Sequence, residues 1–216
     1  EIGNAMMPIS MAQEFLSKPP DGAPAKAPLA QAVADSARRI SRLAQQMRFL
    51  AREIVPGAEA FPVAQLVQEA FEQAQANHGG GKVSLQCAPR NPDQPLVIRG
   101  DRGDLKHALA EVLLNALQAS PPDATIQVRW AMEMNGVGPW LHIDVEDAGG
   151  GFSAEAARRA TEPFYSTRTV GMGLGLTVAR MIVESHHGRI EITTDVEGRA
   201  NTVRITLPMF DEPNGG

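Results

Sequence analysis

The chain opens on a narrow apolar stripe. Ile2, Met6, Ile9, Gln13 and Leu16 are spaced 4-3-4-3, which fits one face of a helix. Pro19, Pro20, Pro24 and Pro28, with Asp21-Gly22 among them, then interrupt the period over Ser17 to Pro28, because proline has no amide donor and clashes with the turn before it. The next run is the most regular of all: Leu29, Val33, Ser36, Ile40, Leu43, Met47, Leu50 and Ile54 step by 4-3-4-3-4-3-4, a heptad seam. Two helices about a proline turn predict an antiparallel hairpin. Stripes this narrow need further helices to bury them, so a dimeric four-helix bundle is expected, the alternative being a hairpin laid on its own neighbouring domain.

The pattern changes after Pro56-Gly57. Phe61-Pro62 opens an amphipathic helix through Leu66, Val67, Ala70, Phe71 and Ala74, and Asn77 to Gly81 form a turn. Val83, Leu85 and Cys87 alternate with polar residues as a strand, and Leu96 to Ile98 make a second short one. Asp101 begins a helix carrying Leu105, Leu109, Val112, Leu113, Ala116 and Leu117, which ends near Pro121-Pro122. Strands at Thr125 to Met132 and Leu141 to Glu146, an irregular stretch to Gly175, a helix from Leu176 to His186, and a hairpin of Arg189 to Thr194 with Thr202 to Pro208 complete the chain. The expected fold class is α+β: an antiparallel helical hairpin over residues 1–56, a two-layer α/β sandwich over 57–210, and a loose tail over 211–216.

Composition narrows the functions. With 20 basic residues against 25 acidic ones and no basic run, the chain has no electrostatic footprint for a nucleic-acid partner. Only 5% of it is aromatic, so aliphatic and methionine side chains must fill the core. The single cysteine, Cys87, forms no internal disulfide, and no run of about 18 apolar residues spans a bilayer. Glu1 opens the chain inside a helical pattern, so the sequence reads as an excised fragment, and a membrane anchor is expected only in parts of a parent protein outside it.

Four clusters in the second region carry chemistry. Glu111 and Asn115 are four apart on one helix face among leucines; a carboxylate and an amide oxygen there suit a hydrated Mg2+, although the pair alone also reads as an ordinary polar stripe. Asp147, Gly149, Gly150 and Gly151 follow a strand, where a carboxylate can accept from an exocyclic amine and glycines permit close approach; a plain turn is the other reading. Gly171, Gly173, Leu174, Gly175 and Leu176 precede a helix, whose amino end is a natural phosphate site. This loop lacks the Lys-Ser/Thr ending of a Walker sequence, and no strand pattern leads into it. Phe164, Tyr165, Ser166, Thr167 and Arg168 lie between the glycine clusters as a candidate lid, or as a surface loop pinned by Phe164.

In this order and spacing the clusters resemble the N, G1, F and G2 boxes of the histidine-kinase branch of the ATPase superfamily shared with gyrase and heat-shock chaperones. The resemblance implies ATP and Mg2+ as cofactors, with Asn115 on the metal and Glu111 where the family has Asn or an acidic residue. It implies that Asp147 reads the adenine amine, with Gly149 and Gly151 completing that box. Phe164, Thr167 and Arg168 match the F box, Arg168 replacing a frequent lysine, and Gly171, Gly173, Leu174, Gly175 and Leu176 match the G2 box. Thr202 falls where the family has a threonine near adenine. Glu1-Ile2-Gly3-Asn4 is similar to the tetrapeptide after the phosphoacceptor histidine of a dimerisation helix; that histidine is expected just before Glu1, with Glu1 assisting phosphoryl transfer and Asn4 aligning water. Ala5 stands where the family has proline, and a cloning scar remains the other reading of these residues. None of the five histidines falls on the hairpin, and His107 is expected at the surface beside the N box.

A sensor histidine kinase core is thus implied, a cytoplasmic homodimer that passes phosphate to a response-regulator aspartate. The competing expectations are a chaperone or DNA-repair type ATPase with Glu111 activating water, and a phosphotransfer or docking module with a vestigial nucleotide domain.

Overall fold

A computed structural model of the chain describes residues 26–51, 59–78, 83–90, 95–136, 138–166, 173–193 and 201–209. The first apolar stripe, most of the proline turn and Ile54 lie outside the described residues. The described elements fall into two compact units, helix α1 (Lys26–Ala51) in one and the described strands and helices from Glu59 onward in the other. Helix α1 starts ahead of Pro28, which was expected to lie in the break. Proline fits in a first turn, where its missing amide would have no partner anyway. On the heptad line Ser36 is buried and Ile40, Leu43 and Leu50 are half-buried, but Met47 is 55% exposed while Gln46 beside it is buried.

The second unit runs β1 (Glu59–Pro62), α2 (Val63–His78), β2 (Ser84–Pro89), β3 (Val97–Gly100), α3 (Arg102–Ala119), β4 (Thr125–Asn135), β5 (Gly138–Glu146), α4 (Ala154–Arg159), α5 (Gly175–Ser185), β6 (Arg189–Thr193) and β7 (Thr202–Pro208). Five strands form one mixed sheet in the order β2-β4-β5-β7-β6, with β2 parallel to β4 and the other pairs antiparallel. Alternation decides its faces. Ile126, Val128, Trp130, Leu141, Ile143, Val145, Val203, Ile205 and Leu207 are buried on one side. Arg129, Asp144, Glu146 and Arg204 stand on the other, where Arg204 grips Asp144 through two hydrogen bonds of 2.6 and 2.8 Å.

Helices α2, α3 and α5 form the second layer, with α3 in the middle. That position explains why α3 is buried nearly all round, from Leu105 to Leu117, rather than along one stripe. His107 is 4% exposed, not at the surface as expected, because the flank of α3 that carries it is covered by α2; Gln73 Nε2 lies 3.2 Å from its Nδ1. Asp101 caps α3 as its position predicted, its Oδ1 accepting the Asp104 N–H at 2.8 Å. His186 at the end of α5 joins that point: its Nε2 accepts the Asp101 N–H at 3.0 Å, and its Nδ1 donates to the Ile182 carbonyl at 2.8 Å.

Three expectations are corrected. Phe61-Pro62 does not open a helix directly; Glu59 to Pro62 form β1, paired antiparallel with β3 with Phe61 opposite Ile98, and α2 begins only at Val63. The strand expected at Leu96 to Ile98 therefore belongs to this separate two-stranded sheet. The β4–β5 hairpin is longer than its hydrophobic pattern, reaching Asn135 opposite Gly138, and the stretch expected to be irregular contains α4, started by Ser153 accepting the Ala156 N–H at 3.1 Å.

Candidate functional site

The site is built around the carboxyl end of α3. Glu111 is 2% exposed, and Asn115 is half-buried one turn further on. One turn beyond Asn115 the helix ends at Ala119, with Ser120 as its C-cap: the Ser120 N–H donates to Ala116 O at 3.0 Å.

Strand β5 delivers Asp147 beside that helix end. Asp147 is 5% exposed, and its Oδ1 accepts the Gly149 N–H at 2.8 Å, closing a turn of the aspartate on its own backbone. Gly149 packs so closely that a Cβ there would stand 2.6 Å from the Ala119 carbonyl oxygen, and Gly151 adopts φ +74°, a left-handed conformation that glycine takes at no cost. Two further side chains hold the turn. Ser120 Oγ accepts the Ala148 N–H at 3.2 Å, and Asn201 Nδ2 donates to the Asp147 carbonyl at 3.4 Å, while the Asp147 N–H donates to Asn201 O at 3.2 Å.

Asn201 is 8% exposed. The alternation that turns Val203, Ile205 and Leu207 inward places Asn201 inward too, and it puts Thr202, with Arg204 and Thr206, on the opposite face. Thr202 Oγ1 donates to Asn201 Oδ1 at 3.4 Å. So the residue beside Asp147 at the start of β7 is Asn201, with Thr202 next to it in the chain. Period-two counting back from Leu207 would have found it.

The amino end of α5 forms the other side. Gly173 has φ +65°, and a Cβ there would lie 2.2 Å from Tyr165 O, so only glycine lets the backbone of the Phe164 segment rest on this loop. Leu174 offers no side-chain hydrogen bond to the first amides of α5; Leu174 and Leu176 are buried and anchor the helix, and Gly175 begins it. Thr177, 2% exposed, secures the arrangement by donating to Thr161 O at 3.2 Å and Gly173 O at 3.3 Å. Phe164 is 69% exposed with φ +63°, and the Arg159 guanidinium stacks 4.3 Å from the centre of the Tyr165 ring. Glu1, Asn4, Thr167, Arg168 and Gly171 lie outside the described residues.

The donor set bears on a metal. Glu111 and Asn115 contribute hard oxygens, and among the described residues no group of three or more His, Cys, Asp or Glu could hold an ion by itself. Mg2+ needs no such cage, since it keeps water and binds through one or two protein oxygens together with substrate phosphates. The residues present fit it on those terms only.

A sandwich of this topology with glycine turns at the end of α3 and the start of α5 defines a class. The family described as histidine kinase-, DNA gyrase B-, and HSP90-like ATPase matches residues 100–211, and the chain belongs to it. It is 32% identical over 171 residues to the nitrogen regulation protein NtrY of Azorhizobium caulinodans, covering 78% of this chain and 22% of that protein. It is 28% identical over 210 residues to the sensor histidine kinase ZraS of Escherichia coli K12, covering 97% of this chain and 43% of ZraS. The chain thus spans less than half the length of these relatives. Among solved structures, the Acinetobacter baumannii histidine kinase AdeS shares the fold with a TM-score of 0.67 at 19% identity, over 96% of this chain and 98% of that one. Among the described residues no helix is long and apolar enough to cross a membrane.

Proposed function

We propose that this chain is the catalytic core of a two-component sensor histidine kinase, which binds ATP with Mg2+ and transfers the γ-phosphate to a histidine on a dimerisation helix. The observation that carries the reading is the turn of Asp147 to Gly151 packed on the end of α3, one helical turn from Asn115. Asp147 is the acceptor for the adenine amine. Asn115 and Glu111 hold Mg2+, which when bound neutralises phosphate charge. The amides of Gly173, Gly175 and Leu176 at the uncapped start of α5, with Gly171, receive the phosphates. Phe164, Thr167 and Arg168 belong to a lid over them, with Arg168 as a cation for the triphosphate. Catalysis on this account is positioning and charge neutralisation rather than covalent chemistry.

Residues 1–56 are proposed as the dimerisation hairpin and 57–210 as the ATP-binding domain. The phosphoacceptor stands just upstream of Glu1, with Glu1 and Asn4 beside it. Met47, exposed on the heptad line, is the kind of surface a second copy covers. The phosphate then passes to the aspartate of a response regulator on the cytoplasmic side.

The test is a chain extended through its native upstream residues and incubated with γ-labelled ATP and Mg2+. Acid-labile, base-stable label on the protein, lost in Asp147→Asn, is expected. Steady phosphate release with no label on the protein would point instead to a chaperone-type ATPase.

A further inference from the structure

The peptide group between Asp147 and Ala148 is held at both ends by side chains from distant elements. Its carbonyl oxygen accepts from Asn201 Nδ2 at 3.4 Å, and its N–H donates to Ser120 Oγ at 3.2 Å. Ser120 comes from the C-cap of α3 and Asn201 from the residue before β7, so the two reach the turn from distant parts of the chain. The amide of Asn201 has one orientation consistent with this, because a carbonyl only accepts; its Oδ1 then faces the Thr202 hydroxyl, which donates to it.

The clamp matters because of what it orients. The orientation of this peptide plane is set by ψ of Asp147 and φ of Ala148, and the two hydrogen bonds fix both. A change in either torsion, uncompensated further along the turn, swings the Gly149 N–H away from Asp147 Oδ1 and breaks a 2.8 Å bond that helps to orient the carboxylate. We propose that Ser120 and Asn201 are a pair of positioning residues that lock the Asp147–Ala148 peptide plane and thereby set both the affinity and the base selectivity of the nucleotide site. This rests on the reading of Asp147 as the acceptor of an adenine amine. It adds that two side chains which need not touch the nucleotide decide how sharply that amine is preferred over the 6-oxo group of hypoxanthine, an acceptor where adenine has a donor.

The experiment is titration calorimetry of ADP and of IDP into the full chain and its Ser120→Ala, Ser120→Thr, Asn201→Ala and double-alanine variants, with folding checked by circular dichroism. Each alanine variant is expected to lose about tenfold in ADP affinity and to lose most of its preference for ADP over IDP, while Ser120→Thr, which keeps the hydroxyl, retains both. Because both side chains hold one peptide group, the double variant is expected to be little worse than the weaker single one. Packing damage alone would weaken ADP and IDP equally and add in the double variant. An unchanged ADP to IDP ratio in both alanine variants, or in Asn201→Ala alone where Ser120→Ala fails to fold, overturns the proposal. If the unmodified chain binds neither nucleotide, it is the ATP-site reading that fails.

Discussion

Gly149 and Gly150 are adjacent and chemically identical, yet the fold asks different things of them. A methyl group on Gly149 meets the Ala119 carbonyl at 2.6 Å, whereas one on Gly150 meets nothing within 4 Å. Gly149→Ala is therefore expected to weaken binding of an ATP analogue at least tenfold in calorimetry, and Gly150→Ala to change it less than twofold. Equal effects would mean that the turn is not packed on α3 as described. His142 supplies a prediction about pH. It sits on the face of the sheet opposite the helices, with Nδ1 3.1 Å from Thr206 Oγ1. Desolvation pushes its imidazole below the ordinary value, outweighing Glu133, whose carboxylate pulls the other way. The unfolded chain then takes up this proton first, so stability falls as pH drops from neutrality through the ordinary imidazole range. His142→Gln is expected to flatten that part of the pH profile in urea unfolding. At this scale the glycines were legible in the sequence, since their role is a local steric requirement. The bonds of Ser120 and Asn201 were not, because each acts on a peptide group far away in the chain, although alternation back from Leu207 already turns Asn201 inward.

Helix α3 joins the core to the site. Leu113 is fully buried and lies two residues before Asn115. Leu113→Ala is expected to cost about 2–5 kcal/mol in denaturant unfolding, through lost burial and the cavity left behind. A loss under about 1 kcal/mol would show that the α3 layer is not packed as the fold has it. The helix was legible because Asp101 and Pro121-Pro122 bracket it and its leucines are dense. Its all-round burial was not, since that depends on α2 and α5 covering both flanks. Strand β1 was hidden for a related reason: four residues carry little periodicity, and the pairing of Phe61 with Ile98 spans a whole helix. Helix α4 had a readable start in Ser153 with Glu155 in the first turn, but with six residues it showed no apolar period.

For residues 57–210, two layers were expected, and among the described residues of the second unit a five-stranded sheet lies under three helices. The acidic balance of the chain takes on a clearer sense here. An anionic nucleotide can be received by backbone amides, a metal and a few side chains, so it requires no basic surface. The central claim is that Asp147, the turn after it, α3 and the start of α5 form one nucleotide site. Its most direct test is titration calorimetry of a non-hydrolysable ATP analogue with Mg2+ into the unmodified chain and into Asp147→Asn. Saturable one-to-one binding that falls at least a hundredfold in Asp147→Asn, with circular dichroism unchanged, is the predicted result. Equal affinity in the two proteins, or no binding by the unmodified chain, would contradict it.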